Sequence, residues 1–196
     1  MSESEWRKSL QHFPNREAWL TAAVSEIRPW FKEIDVELPE KIRVACGWSK
    51  RAGKGIGWCW KREASSDGTN EILVTPEQAD PVKTLAVLVH ELIHSSDDGE
   101  SKHSGHFRTT ALAIGLEGKM TATQAGSALT DRLTKLTEQL GVYPHASINP
   151  ALSTIPKQTT RMIKLECPED GYTVRTTRKW IDVGLPSCPS GHTMEL

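Results

Sequence analysis

The 196-residue chain has no apolar run approaching the length of a membrane span, which argues against a helical membrane protein. Its first residues, MSESEWRKSLQHF, are polar and charged and lack the apolar stretch of a secretory signal, so the expected location is the cytoplasm. Cysteine is scarce, with Cys46, Cys59, Cys167 and Cys188 making up the full complement of four. In a reducing compartment such residues read as thiols or metal ligands rather than as a disulfide framework. The net charge of −1 excludes a protein drawn to nucleic acid by its overall charge. Internal repeats and low-complexity tracts are missing as well. Aromatics are only 6% of the chain, yet seven of them are tryptophan.

What is present describes an ordinary globular protein, 37% hydrophobic and 25% charged. The length suits one well-buried domain with a small appendage. Leu20, Val24, Ile27 and Phe31 repeat at helical spacing after Asn15, a candidate cap, with a kink or stop expected at Pro29. Residues 41–62 resolve into two strands around a glycine- and lysine-rich turn, and NEILVTPE (70–77) reads as a third. Asp80-Pro81 is an N-cap followed by a proline at the first helical position, and it opens a helix over roughly 81–96. Further helices are expected from Ser104 to Ile114 and over 125–140. The stretch 146–160 reads as a linker, and the short β-like runs of 161–196 as a separate module after a domain spanning 1–145.

Four of the seven histidines fall within HELIHSSDDGESKHSGHF, residues 90–107. In H-E-x-x-H on a helix, His90 and His94 lie one turn apart on one face, so both imidazoles can reach one ion. Glu91 beside them is placed to take a proton from water rather than to ligate. A metzincin is excluded, because Asp97 and Glu100 stand where it would need a glycine and a histidine. For a third ligand, spacing admits His103, His106 or a distant glutamate such as Glu117 or Glu138, with histidine the simplest.

HELIH followed by a polar loop and H-x-x-x-F (His103 to Phe107) resembles the SprT-like, or Spartan-type, zinc metallopeptidases. VACGW, GWCW, NEILVTPE, DPVKTLAVLVHELIH and AIGLEGKMTAT are similar to bacterial and phage members, and CPEDGYTVRTTRKWIDVGLPSCPSGH to their zinc-ribbon-like tail. The resemblance implies that His90, His94 and His103 bind a catalytic zinc, that Glu91 is the general base, and that Phe107 packs beneath the third ligand. Ser104 departs from the glycine often found after that histidine. His106 has no role in the family pattern, which leaves it a surface histidine or a cleft-lining proton donor.

The fold expected is α+β: a small antiparallel sheet packed on helices that include the HExxH helix, then a zinc-ribbon-like β module. In that module Cys167 and Cys188 stand 21 residues apart, a separation that fits two knuckles. With His192, and with Asp170 as the weakest member, they form a candidate second zinc site. Cys46 and Cys59 read as buried small hydrophobes.

Between residues 41 and 62 the chain carries basic residues and no acid. Here Trp48, Trp58 and Trp60 interleave with Lys50, Arg51, Lys54, Lys61 and Arg62, and the tail adds Arg175, Arg178 and Lys179. Cations neutralise phosphates and exposed aromatics stack on unpaired bases, although tryptophans in a core with solvated lysines fit the same string. Spartan-type peptidases degrade proteins crosslinked to DNA. The resemblance therefore implies a monomeric endopeptidase of DNA-bound proteins with weak affinity for single-stranded or junction-like DNA. The alternatives are a DNA-binding or adaptor module with a structural metal, and a zinc hydrolase of non-peptide amides.

Overall fold

The computed structural model describes residues 13–49, 55–152 and 161–196. The chain divides into two compact units, one ending at Pro150 and one running from Ala151 to Leu196. Together they contain five α-helices and three small sheets among the described residues, an α+β protein.

In the first unit, helix α1 (Arg16–Lys32) starts where the Asn15 side chain accepts a hydrogen bond from the Ala18 N–H at 2.9 Å. Its buried stripe is Trp19, Leu20, Ala23, Val24, Ile27 and Phe31. The helix runs through Pro29 to Lys32 rather than stopping there. Proline removes one N–H, but Pro29 and Ser25 both face solvent, so water can satisfy the carbonyl left over.

The central sheet holds β1 (Ile42–Cys46), β2 (Gly57–Trp60) and β3 (Asn70–Val74) in the order β1-β3-β2. The sheet is mixed, not antiparallel as expected: β1 and β3 run parallel while β2 and β3 run antiparallel. β3 takes the centre because it alternates strictly, with Asn70, Ile72 and Val74 buried against the helices. β2 is left at the edge, and among the described residues it pairs only with β3.

Helix α2 (Pro81–Ser96) opens as expected, with Asp80 Oδ1 accepting from the Lys83 N–H at 2.9 Å. Such a cap is worth about 1 kcal/mol. Leu85, Leu88, Val89, Leu92 and Ile93 enter the core. Helix α3 (Gly105–Ile114) ends at Gly115 in the left-handed region, φ 99°. An unexpected hairpin follows, β4 (Leu116–Lys119) paired with β5 (Ala122–Ala125), before helix α4 (Ser127–Leu140). Beyond α4 the chain stays on the first unit: Tyr143 packs on Trp19, and the Ile148 N–H bonds the Pro76 carbonyl at 2.9 Å. The linker expected from residue 146 therefore begins later, and residues 153–160 of it lie outside the described residues.

The second unit pairs β6 (Ile163–Glu166) with β7 (Thr173–Thr176) and adds the single-turn helix α5 (Arg178–Ile181). Among the described residues it buries Leu165, Cys167, Cys188 and Met194.

Candidate metal centre

His90 and His94 project from the last two turns of α2, and the loop after it brings back His103. One ring nitrogen from each of the three lies within 4.8 Å of the others. His94 Nε2 and His103 Nε2 are 3.2 Å apart. Phe107, fully buried on the first turn of α3, underlies the trio, with ring centroids 4.8, 4.5 and 5.0 Å from His90, His94 and His103. It fixes where the rings can rest.

Burial pushes the His90 imidazole down to about 3, reinforced by His94 and His103, and His94 to about 4, reinforced by His103 and partly opposed by Asp97. His103 is lowered too, by burial. Neutral imidazole is the form that ligates a metal. The tautomer of His90 that donates Nδ1–H to the Thr123 hydroxyl, 2.8 Å away, leaves its Nε2 lone pair free. The donor set therefore fits a metal ion: three neutral, convergent nitrogens, one of them oriented by a second hydrogen bond.

Glu91 is 5% exposed, and burial lifts its carboxyl to about 8. The β2 backbone lies directly on it. A Cβ at Gly57 would stand 2.5 Å from Glu91 Oε1 and 2.7 Å from Val87 Cγ1, so only glycine lets the strand approach this closely. The histidines and Glu91 open into a cleft of about 670 Å3 bounded by β2 on one side and by Thr121, Ala122 and Thr123 on the other.

His106 stands outside the cluster and does not line the cleft; it is exposed, with Nε2 2.9 Å from Ser96 Oγ. Glu117 and Glu138 are exposed and also outside the cluster. Thr123, which orients His90, was not singled out in the sequence. Its strand, ATQA, has no buried residue to give a period.

In the second unit Cys167, Asp170, Cys188 and His192 bring one ligand atom each within 4.8 Å of the others. His192 Nδ1 lies 3.7 Å from both sulfurs, and the Cys188 thiol lies 3.3 Å from Asp170 Oδ2. Both cysteines head tight turns that close at left-handed glycines, Gly171 (φ 70°) and Gly191 (φ 88°). The Tyr172 backbone N–H and the two thiols hold the Asp170 carboxyl well below the ordinary range, so it is an anion there. This group too can hold a metal ion.

The basic and aromatic candidates are dispersed. Lys50, Arg51 and Lys54 lie outside the described residues. Trp48 is 46% exposed and donates its indole N–H to Glu77 Oε1 at 2.9 Å. Trp58 and Trp60 are half-buried on the β2 face opposite Gly57 and Cys59, and both border the cleft. Lys61 is exposed, while Arg62 is engaged by Asp98. In the tail Arg175, Arg178 and Lys179 are exposed, and Lys179 Nζ sits 4.9 Å over the Trp180 ring. Cys46 and Cys59 are half-buried free thiols rather than fully buried ones.

Comparison with protein-family models, with characterised proteins and with solved structures returns no match.

Proposed function

We propose that the chain is a zinc-dependent endopeptidase of SprT-like type, acting on DNA-associated or DNA-crosslinked proteins. The observation that carries this reading is Glu91, a buried carboxyl beside three convergent imidazoles at the wall of an open cleft. A purely structural metal site has no need of such a group. His90, His94 and His103 would hold the zinc, which when bound supplies Lewis acidity to water and to a carbonyl oxygen.

The rest falls to the chain's own residues. The Glu91 carboxyl, near neutral in its tendency to hold a proton, is suited to take one from water and return it to a leaving amine. A cation close by favours its ionised, proton-accepting form. Thr123 keeps the His90 ring turned toward its partners. Among the described residues β2 pairs on one side only, and such an edge beside the cleft suits an extended chain, which favours a peptide over a small amide. The interleaved tryptophans and basic residues, and the basic tail, support a weak, salt-sensitive DNA contact.

The tail cluster supports a second, structural zinc. Two sulfurs and an imidazole suit that ion, and Asp170 completes four ligands.

The test is cleavage of DNA-bound protein by wild type and by Glu91→Gln at equal zinc content. Loss of a general base costs roughly 10²–10⁴-fold in rate. Equal cleavage by both proteins would remove Glu91 from the chemistry. Zinc binding without hydrolysis by either would favour the adaptor reading.

A further inference from the structure

Two of the three histidines are fixed by the helix that carries them, but His103 is not. It sits on the loop between α2 and α3, half-exposed, and something must hold that loop against the cleft. The loop is not held by burial. Between Asp97 and Ser104 no side chain is buried, and the backbone turns through left-handed conformations at Asp98 (φ 56°), Gly99 (φ 73°) and Lys102 (φ 53°). Left-handed backbone is uncommon at residues other than glycine and is kept only where surrounding contacts impose it.

The contacts are specific. Asp98 Oδ1 accepts the Arg62 backbone N–H at 2.8 Å and Asn70 Nδ2–H at 2.9 Å, so the loop is tied to the chain just beyond β2 and to the first residue of β3. The Arg62 guanidinium adds a looser approach, Nε to Asp98 Oδ2 at 3.7 Å. Asn70 is fully buried and spends its amide on this junction, donating also to the Trp60 carbonyl at 3.1 Å, while its own Oδ1 has no partner among the described residues. A buried amide that leaves its oxygen unpaired in order to hold two acceptors is placed for the holding. Inside the loop, Asp97 accepts the Gly99 and Ser101 N–H groups, and Ser101 Oγ accepts the Phe107 N–H at 3.1 Å, so the tie reaches the ring beneath the histidines.

We infer that Asn70, Asp98 and the Arg62 backbone form a strap that positions His103, and that this strap sets the metal affinity of the histidine cluster. These are positioning residues; none of them touches the metal or the substrate. The inference rests on the metal reading of His90, His94 and His103.

Cobalt titration of the full chain tests it. Cobalt on three imidazoles gives only weak visible bands, while the tail's thiolates give a separate sulfur-to-metal band, so the two clusters are read independently. Asp98→Gly keeps a residue tolerant of the left-handed conformation but removes the carboxylate, and should weaken cobalt at the histidine cluster about tenfold, the lower end for outer-shell partners. Asp98→Asn keeps the acceptor oxygen and should stay within about threefold of wild type. Asn70→Asp, which sets a second carboxylate against Asp98, should weaken binding at least as much as Asp98→Gly. His103→Ala marks full loss of the third ligand. Wild-type affinity in Asp98→Gly or in Asn70→Asp would overturn the strap, as would Asp98→Asn binding as poorly as Asp98→Gly. If wild type shows no imidazole-type cobalt bands, the metal reading itself fails and takes the strap with it, an outcome distinct from the others.

Discussion

In the first unit the three histidines rest on a core that runs from Trp19 to Tyr143 and closes without them, whereas in the tail Cys167 and Cys188 are two of the four residues buried among those described. The first cluster is an addition to a finished fold. The second makes up half of what its unit buries among the described residues. A unit this small buries too little apolar surface to offset chain entropy, and such units commonly depend on a metal or a disulfide. The tail's cysteines are free thiols, and with Asp170 and His192 they form a group that could hold a metal ion. On the function proposed above, the same side-chain chemistry serves opposite ends: a preorganised platform would hold a reactive centre open, while a site that must create its own fold would close around its ion.

That contrast can be broken most forcefully in the tail. Cys188→Ser, or exhaustive chelation, should abolish the dispersed amide signals of residues 161–196 in NMR spectra while the helical signals of the first unit persist. Retention of tail dispersion without metal would place the two units in the same class.

Within the first unit the largest structural effect is expected at Phe107. Phe107→Ala removes the fully buried ring beneath the histidines and should cost about 3–5 kcal/mol in denaturant unfolding of that unit. The tail signals should not change. A loss below about 1 kcal/mol would mean that the platform is less finished than its packing implies.

A smaller change isolates the centre from its support. Thr123→Val keeps the shape of a polar-edged strand residue but removes the hydroxyl beside His90 Nδ1. Loss of such an outer-shell partner lowers metal affinity 10–100-fold, so zinc competition with a chromophoric chelator should fall by roughly that factor, with unfolding nearly unchanged.

How much of this was legible before the structure divides along the same line. The HELIH helix announced itself through Asp80-Pro81 and its apolar period, and spacing paired His90 with His94 and Cys167 with Cys188, whereas the choice of His103 over His106 and the ribbon reading of the tail came from the family resemblance. Strand order was not legible. Alternation in NEILV says which side chains face the helices, but not that β3 would separate β1 from β2. The hairpin carrying Thr123 is not legible because Leu116 is the only buried residue of its two strands, too little for a pattern. Asp98 and Asn70 were passed over as loop and strand polar residues, since their partnership joins positions far apart in sequence.

The most direct test of the central claim is anomalous scattering at the zinc edge from crystals of the zinc-loaded full chain. The account predicts two peaks, one among the ring nitrogens of His90, His94 and His103 and one among Cys167, Asp170, Cys188 and His192. A peak in the tail alone, with none at the histidine cluster, would contradict it.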